Sequence, residues 1–280
     1  MLNELRKSFE EALKGDLDRN REAMKLCDAV EYALLSGGKR FRPLIVLSIA
    51  KGLGLGFDVK PAALAVEYFH TASLIADDLP CMDDDAMRRG RESLHCAFGE
   101  STALLSSYAL ICLAFEKIHE CAKSCGAQEG MVALEQAAKS AGMKGATGGQ
   151  FLDLFPPDQS AETLLDILNR KTVTLFETAF VLGWVFGGGR LDRLDDVKRA
   201  AFHFGMAFQI GDDLDDLDQD QGAQTSNYAI AIGVDAATGL FDEHVSAFDA
   251  LLKELGLETS GLALLRNLMV DHLAPASSAS

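Results

Sequence analysis

Aspartates crowd into one short stretch of the chain, "DDLPCMDDDAMRRG" (residues 77–90). Five of them fall within nine residues, and two arginines follow almost at once. Carboxylates this close together repel one another, so a folded protein must compensate their charge. Pro80 cannot continue a helix, and the break that it forces would bring Asp83 back beside Asp77. The stretch therefore predicts a carboxylate cluster with arginines at its edge.

A second acidic cluster lies far along the chain, in "FQIGDDLDDLDQD" (Phe208–Asp220). On a helix, Asp212 and Asp216 would be one turn apart on one face, with Gln209 one turn earlier and Asp213 beside them. Mg²⁺ prefers carboxylate oxygens and commonly shares its site with substrate phosphates. Either cluster alone fits a solvated helix face. Apolar residues precede both, however, and together they favour a site in which metal ions bind a diphosphate.

A basic motif, "SGGKRFRP" (Ser36–Pro43), could supply cations for that anion. It places Lys39, Arg40 and Arg42 directly after two glycines. Glycine lets the backbone approach a ligand closely, and a glycine turn before a helix start suits phosphate. The alternative is an ordinary basic helix start.

Two further side chains are candidates because of their position on predicted helices. His70 precedes Asp77 by seven residues, so the two share a helix face. Lys171, in "NRKTVTLFETAF", stands at the head of an apolar helix. It is either a ligand for the anion or a common terminal charge.

The composition limits what the protein binds. The chain has 280 residues, 48% of them apolar, and a formal net charge of −16. That length and apolar share allow a large core in one domain, or at most two. Binding to a nucleic-acid backbone needs a basic face, so we expect no nucleic-acid partner. An anionic ligand would have to be held by local cations or through bound metal.

Cysteine usage and the apolar segments indicate a cytoplasmic protein without a transmembrane segment. The six cysteines are scattered and form no zinc pattern, which predicts reduced thiols. The segment "MLNELRKSFEEALKG" predicts an amphipathic helix and lacks the apolar core of a signal peptide. The most apolar run, Ala103–Phe115, is too short to span a bilayer and predicts a buried helix.

Helices are predicted throughout, because apolar residues recur at three- and four-residue spacing and strand signals are nearly absent. The clearest helices are expected at residues 28–36, 62–76, 102–122, 164–186 and 197–217. Connections are expected at residues 52–61, 155–160, 187–193 and 220–227. The chain should therefore form a single all-α domain over residues 1–273, with a disordered tail at 274–280.

Taken together, the motifs resemble those of the trans-isoprenyl diphosphate synthases of the short-chain type, such as farnesyl and geranylgeranyl diphosphate synthases. The resemblance runs from about Ala29 to Gly233. It rests on "GGKRFRP", "FHTASLIADDLPCMDDDAMRRG", "GGQFLDL", "RKTVTLFETA" and "FQIGDDLDD", which occur in the family's order. It implies an isoprenoid synthase-type helical bundle around a deep central cavity, usually as a homodimer. It also implies that isopentenyl diphosphate is condensed with dimethylallyl, geranyl or farnesyl diphosphate, with Mg²⁺ as cofactor and Mn²⁺ as a substitute.

The resemblance implies roles for individual residues. Mg²⁺ would be bound by Asp77, Asp83 and Asp212, and bound or held through its waters by Asp78, Asp213 and Asp216. The allylic diphosphate would be held by Arg88, Lys171 and Gln209. Isopentenyl diphosphate would be held by Lys39, Arg42, His70 and Arg89. The substrate site would also include Gly38, Thr172 and Phe208. No side chain is assigned as the base, because in this family the departing diphosphate usually takes the proton.

Product length is expected to depend on the helix before the first aspartate. In this family the residues four and five positions before it help to form the floor of the tunnel that takes the growing tail; here they are Ser73 and Ala72. These small side chains predict a C20 product, geranylgeranyl diphosphate, with farnesyl diphosphate (C15) as the main alternative. Tyr68 and Phe69, one turn lower, would form the next floor.

The chain departs from the family pattern in four places. Ala76 replaces a common histidine, Tyr108 replaces a common aspartate, the loop after Asp220 lacks two lysines, and the C-terminus is not basic. These departures predict altered closure of the site and a lower rate. Two alternatives to a prenyltransferase are a non-catalytic regulatory subunit of the same type and a terpene cyclase. Both aspartate motifs are complete, which argues against each.

Overall fold

The structure, a computed structural model, describes residues 1–22, 24–217, 227–258 and 260–273. Within them the chain is almost entirely helical, which confirms the all-α class. The helices are α1 (Leu2–Arg19), α2 (Lys25–Leu34), α3 (Phe41–Leu53), α4 (Lys60–Asp77), α5 (Leu94–Phe98), α6 (Glu100–Cys125), α7 (Ala127–Ala141), α8 (Ala146–Leu154), α9 (Ala161–Leu168), α10 (Thr174–Phe186), α11 (Leu194–Asp215), α12 (Tyr228–Ile232), α13 (Val234–Glu254) and α14 (Gly261–Leu273). The predicted tail 274–280 and loop residues 220–226 lie outside the described residues.

A small β-hairpin follows directly after the first aspartate cluster. Its strands, β1 (Met87–Arg88) and β2 (Arg91–Glu92), pair antiparallel. Arg89 and Gly90 between them have φ values of 53° and 76°, as a two-residue turn of type I′ requires. The sequence showed almost no strand signal here, because strands of two residues are too short to display alternation.

Helices α4 and α10 form the centre of the core. α10 buries nearly all of its residues, and α4 packs against α3, α6 and α10. α3 and α10 approach closely at Gly183, where an added Cβ would lie 2.9 Å from the Cα of Val46. Both central helices are therefore enclosed by other helices on nearly all sides. Functional side chains on α4 can therefore point into the interior in more than one direction.

The predicted helix over residues 164–186 is continuous but not uniform. α9 leads into a π-helical turn, Asn169–Val173, and the chain then continues as α10. π-helical turns are rare and commonly occur at functional sites. Lys171, one of the candidate ligands, lies in this turn.

The apolar run at residues 103–115 lies within a longer helix, α6, which has 26 residues. By length and apolarity, α6 is the one helix in the described part of the chain that could cross a membrane. The same criterion is met by core helices, and α6 buries Leu110 and Ala114 in the core. Its opposite side exposes Leu105 and Tyr108 to solvent.

A buried charge cluster attaches α1 to the core. The Asp16 carboxylate accepts hydrogen bonds from the Tyr68 hydroxyl on α4 (2.6 Å) and from the Lys117 ammonium on α6 (2.5 Å). Burial alone would raise the pKa of Asp16, but hydrogen bonds from Lys117, Tyr68 and Arg19 outweigh burial and hold it below its usual value. Three helices are thus joined at one carboxylate.

Removal of this buried negative charge should destabilise the protein. We expect Asp16→Asn to lower the free energy of unfolding by about 2–3 kcal/mol, because the nearly buried Lys117 ammonium loses its nearest counter-ion. Glu11→Gln is the matched control, since Glu11 pairs with Lys7 on the solvent side of α1 and should be near neutral. Urea denaturation measures both variants, and equal stability of the two would contradict the expectation.

Candidate active site

The first aspartate cluster forms where α4 ends. The helix stops at Asp77, and the chain turns around Pro80 so that the Asp83 N–H donates to the Asp77 carbonyl oxygen at 2.9 Å. This confirms the expectation that the break returns Asp83 to Asp77. Gln150, on α8, donates to the Asp83 carboxylate at 3.4 Å. The cluster therefore faces α8 as well as α4.

The carboxyl group of Asp77 has a strongly raised pKa. Burial raises its pKa to about 7, and the neighbouring Asp83 and Asp78 charges add to the effect, although Lys171 acts in the opposite direction. A carboxylate in this environment is short of positive charge. Any cation that binds beside it stabilises its ionised form.

Asp78 occupies a different environment from its neighbour. It is buried, and Arg88 donates to its Oδ1 atom from both Nε (2.8 Å) and Nη2. Arg88 also donates to Asp85 at 2.7 Å. Asp77 lines the large cavity described below, whereas Asp78 lines a small cleft on the opposite side of α4. In this arrangement Asp78 holds Arg88 in place. Metal binding by Asp78 stays a prediction.

The second cluster lies at the end of α11. Burial raises the pKa of Asp212 to about 6, and three nearby aspartates add to the effect, while Lys39 opposes it from 3.8 Å away. Asp216 follows the last residue of α11 and is exposed. As at Asp77, the ionised form of Asp212 would gain from a bound cation.

Asp213 and Gln209 are already engaged with each other. The Gln209 side-chain amide donates to the Asp213 carboxylate at 2.9 Å, and the Tyr228 N–H donates to it at 2.8 Å. Asn227 donates to the Asp213 carbonyl oxygen at 2.8 Å. Asp213 is buried and connects α11 to the start of α12. Like Asp78, it secures the site through protein contacts, and its role toward metal stays a prediction.

The acidic residues fit a hard divalent cation. The donors are carboxylate oxygens, which Mg²⁺ and Mn²⁺ prefer. Burial raises the pKa values of Asp77, Asp78 and Asp212, and a bound cation would oppose that effect. No group of three His, Cys, Asp or Glu side chains in the described residues converges on one point. Mg²⁺ commonly keeps several waters and completes its shell with substrate phosphates, so two or three carboxylates suffice.

Arg42 and His70 form a buried pair. Their side-chain nitrogens lie 3.4 Å apart, and the Arg42 guanidinium stacks 4.3 Å from the ring centroid of Phe176. Burial lowers the pKa of Arg42 to about 10, and Nε of Arg42 lacks a hydrogen-bond partner among the described residues. Burial and the surrounding arginines also lower the pKa of His70 well below its usual value, so its ring is neutral. An anion bound beside this pair could accept a hydrogen bond from Arg42, whose Nε lacks a partner among the described residues.

The remaining predicted cations meet at the turn before α3. Arg89 donates to the Gly37 carbonyl oxygen at 2.5 Å, and an added Cβ on Gly38 would lie 2.6 Å from the guanidinium carbon of Arg89. The Lys39 ammonium lies 6.0 Å from the ring centroid of Phe208. The structure thus brings together the lysine, arginines and histidine that the sequence singled out.

Lys171 is held by a carboxylate that the sequence analysis did not select. Its ammonium donates to Asp153 on α8 at 2.6 Å. Although burial opposes it, the charges of Asp153 and Asp77 raise the pKa of Lys171, so it remains a cation. Thr172 lies beside it in the same π-helical turn and is half-buried. Lys171 is therefore part of the acidic cluster's surroundings, and the alternative of a common terminal charge is wrong.

Gln150 and Asp153 are the site residues that sequence reasoning missed. Both lie on α8, three positions apart, so one helix face carries both polar groups toward the aspartates and Lys171. α8 can come this close because of Gly149, where an added Cβ would lie 2.4 Å from the Lys171 backbone nitrogen. The signal was present in "GGQFLDL", where two polar side chains interrupt an apolar helix.

An apolar cavity of about 370 Å³ begins at Asp77 and runs along α4. Its wall on α4 includes three small residues, and its other lining comes from α6, α7, α8, α10, the turn after α4 and the residue that follows α8. The α4 residues that line it are Phe69, Ala72, Ser73, Ala76 and Asp77. Ala72 and Ser73 therefore lie where the sequence expected the tunnel. Phe69 lies one turn lower, with its ring edge-on to Phe115 at a centroid distance of 5.2 Å.

One predicted floor residue does not reach the cavity. Tyr68 was expected beside Phe69, but successive residues on a helix point about 100° apart. The Tyr68 side chain instead turns toward α1, where its hydroxyl binds Asp16. Tyr108, one of the departures from the family pattern, is 56% exposed on α6 and lies outside the cavity lining.

The chain is similar in sequence to a known protein family and to several known proteins. The sequence profile of the polyprenyl synthetase family matches residues 23–238. Geranylgeranyl pyrophosphate synthase 11, chloroplastic, of Arabidopsis thaliana is 41% identical over 205 residues, which are 70% of this chain and 57% of that protein. Geranylgeranyl pyrophosphate synthase 4 of the same plant is 37% identical over 253 residues, covering 82% and 68%. The chain thus spans little more than half the length of several plant relatives.

Solved structures of similar fold cover nearly the whole chain. A geranyltransferase from Legionella pneumophila has 27% sequence identity and a TM-score of 0.84, covering 97% of this chain and 95% of that chain. An FPP/GFPP synthase from Zymomonas mobilis has 30% identity and a TM-score of 0.81, covering 98% and 100%. The isoprenoid synthase-type fold expected from the sequence is confirmed.

The raised pKa of Asp77 predicts how metal-free protein responds to pH. A carboxyl whose folded pKa of about 7 exceeds its unfolded value of about 3.9 stabilises the fold while protonated, and that contribution is lost as the pH rises through 7. We expect Asp77→Asn to exceed the wild type in stability by about 1–2 kcal/mol at pH 8 in chelator, and by much less at pH 5. Urea denaturation at the two pH values tests this. Asp84→Asn, at an exposed position in the same stretch, is the control; a pH-independent difference for Asp77→Asn would contradict the assignment.

Proposed function

The chain belongs to the polyprenyl synthetase family, and we propose that it is a short-chain prenyltransferase. It would join isopentenyl diphosphate to dimethylallyl, geranyl or farnesyl diphosphate and make geranylgeranyl diphosphate. One observation carries the proposal. Two aspartate clusters with raised pKa values lie beside two separate sets of cations, and an apolar cavity begins at the first cluster.

The two sets of cations suit two diphosphates, the allylic diphosphate that departs in the reaction and the isopentenyl diphosphate that stays in the product. Arg88 and Lys171, each fixed by a carboxylate, lie near the first aspartate cluster and would orient the allylic diphosphate. Lys39, Arg42 and Arg89 surround the turn before α3, and the neutral His70 lies against Arg42; these would hold isopentenyl diphosphate. Bound Mg²⁺, at Asp77, Asp83, Asp212 and Asp216, would supply positive charge for the departing diphosphate.

The reaction follows from placing these two substrates side by side. The allylic C–O bond breaks, and the fixed cations stabilise the negative charge that develops on the leaving group. The double bond of isopentenyl diphosphate, held in place by its own cations, then attacks the allylic carbon. A proton is lost from the joined product to the departing diphosphate. The apolar cavity keeps water from the reactive carbon and receives the tail.

The proposed C20 product is supported by the cavity wall. Ala72 and Ser73 leave space next to Asp77, so a tail can pass the level at which a large side chain would stop it. Phe69 lines the cavity one turn lower and packs edge-on against Phe115. Two plant relatives are named geranylgeranyl pyrophosphate synthases. A C15 product is the second candidate, because a solved structural relative is named a geranyltransferase.

We further propose that the protein is a cytoplasmic homodimer. The outward side of α6 exposes Leu104, Leu105 and Tyr108, an apolar surface that a second copy would cover. The cysteines of the chain are free thiols, in keeping with a reducing compartment. Size-exclusion chromatography with light scattering tests the dimer.

Product analysis tests the activity itself. Purified protein with Mg²⁺, isopentenyl diphosphate and each allylic primer should give C20 product. Asp212→Ala should lower the rate roughly 100-fold or more, because a group that stabilises the developing charge is lost. Full activity in excess chelator, or no condensation with any primer, would overturn the proposal.

The cavity wall makes a separate prediction about product length. We expect Ala72→Tyr to shorten the product to C15, because the ring would fill the cavity about 7.5 Å along α4 from Asp77. Phe69→Ala should lengthen it beyond C20 by removing the floor. Thr71→Val, on the other side of the same helix, is the control and should leave product length unchanged. Chromatography of the dephosphorylated products measures all three. An unchanged product with Ala72→Tyr would place the floor elsewhere.

A further inference from the structure

Helix α1 contributes to the site although none of its residues belongs to a recognised motif. Arg6 and Glu10, one turn apart on α1, both contact the turn Gly37–Arg40, called here the 37–40 turn. We propose that Arg6 and Glu10 are positioning residues of the isopentenyl diphosphate site and raise its affinity by holding this turn. The inference rests on the proposed function, from which it takes the roles of Lys39 and Arg42.

The 37–40 turn has a backbone that must be held in place. Gly37 and Gly38 have φ values of 86° and 117°, and Arg40, which has a side chain, has a φ of 57°. Residues other than glycine persist in this region only where their surroundings over-determine the conformation. Arg40 lies between Lys39 and Arg42 and directly precedes α3. The backbone conformation of Arg40 therefore determines the directions in which the Lys39 and Arg42 side chains point.

Three helices hold the Arg40 side chain. Its guanidinium donates from Nε to Glu10 on α1 at 3.0 Å, from Nη1 to Glu67 on α4, and from Nη2 to the Leu34 carbonyl oxygen at the end of α2 at 2.7 Å. The side chain of Arg40 is 1% exposed, so this arginine of the basic motif is an anchor. Without Glu10, one donor of a buried cation would lose its partner, which is costly in the protein interior.

Two guanidinium groups hold the glycine carbonyls of the same turn. Arg89 donates to the Gly37 oxygen at 2.5 Å, and Arg6 donates to the Gly38 oxygen at 2.6 Å. Because a trans peptide is planar, its N–H points opposite to its C=O. Holding these carbonyls therefore fixes the planes of the two peptides, and with them the directions of the Gly38 and Lys39 N–H groups. Backbone N–H groups aligned beside cationic side chains form a common type of site for phosphate groups.

The helix that supplies these contacts is itself fixed. The Asp16 cluster joins α1 to α4 and α6. Arg6 and Glu10 therefore act on the turn from a helix that is tied to the same core as His70. The residues next to them, Lys7 and Glu11, pair with each other on the solvent side of α1 and do not contact the turn.

The test compares these neighbouring pairs in the full-length protein. Isothermal titration with isopentenyl diphosphate alone gives its Kd, and initial rates give kcat and KM for each substrate. We expect Arg6→Ala to raise the Kd for isopentenyl diphosphate about fivefold and Glu10→Ala about tenfold, since each removes a charged hydrogen bond to the turn. The KM for the allylic primer and kcat at saturation should change less than about twofold. Arg6→Lys, which keeps a charged donor, should restore most of the affinity.

The controls separate this inference from the function on which it rests. Lys7→Ala and Glu11→Ala should leave all constants unchanged. Lys39→Ala tests the site itself: if it leaves the Kd for isopentenyl diphosphate unchanged, the site is wrongly assigned and both proposals fail. If Lys39→Ala weakens binding but Arg6→Ala and Glu10→Ala do not, only the positioning role is overturned. Equal changes for both substrates, accompanied by a lower Tm, would show a general structural role and would also overturn it.

Discussion

The structure depends on negative charge that is concentrated inside an apolar helical bundle. Like charges in a low-dielectric interior are tolerated only with compensation. Two groups of acidic residues result. Asp78, Asp213 and Asp153 have partners within the protein, namely Arg88, Gln209 with a backbone amide, and Lys171. Burial still raises the pKa of Asp78 in spite of Arg88. Asp77 and Asp212 are not fully compensated, and their pKa values are raised accordingly. The first group holds neighbouring side chains in place, and the second is the group that we propose binds cations.

Helix α4 serves several sites because its residues point in different directions. Ala72, Ser73 and Ala76 face the cavity, His70 faces Arg42, and Glu67 faces the Arg40 anchor. Tyr68, between two of these groups, faces α1. The rotation of 100° per residue lets one helix line the cavity, contact Arg42 and bind α1 through Tyr68. The helix can do so only because it is surrounded by other helices on nearly all sides.

Buried ion pairs connect the helices around the proposed anion site. Asp16 with Lys117, and Arg40 with Glu67 and Glu10, connect helices that are distant in sequence. Such pairs cost desolvation and contribute little net stability, but a partner left alone in the interior is strongly destabilising. They therefore favour one arrangement of the helices over others. In this protein that arrangement places Arg42, at the start of α3, next to His70 on α4.

Local periodicity and a proline determined much of this protein from its sequence alone. Apolar spacing indicated the helices, the i to i+7 spacing put His70 and Asp77 on one face, and Pro80 brought Asp83 back to Asp77, because each effect acts within a few residues. The tertiary structure decided which side chains are partners. In the tertiary structure Asp78 pairs with Arg88 and Asp153 pairs with Lys171. Tyr68 points away from the cavity toward Asp16. Arg40 is buried against the Leu34 carbonyl oxygen, and Arg6 contacts Gly38. All of these contacts depend on how the chain packs, which local spacing does not encode.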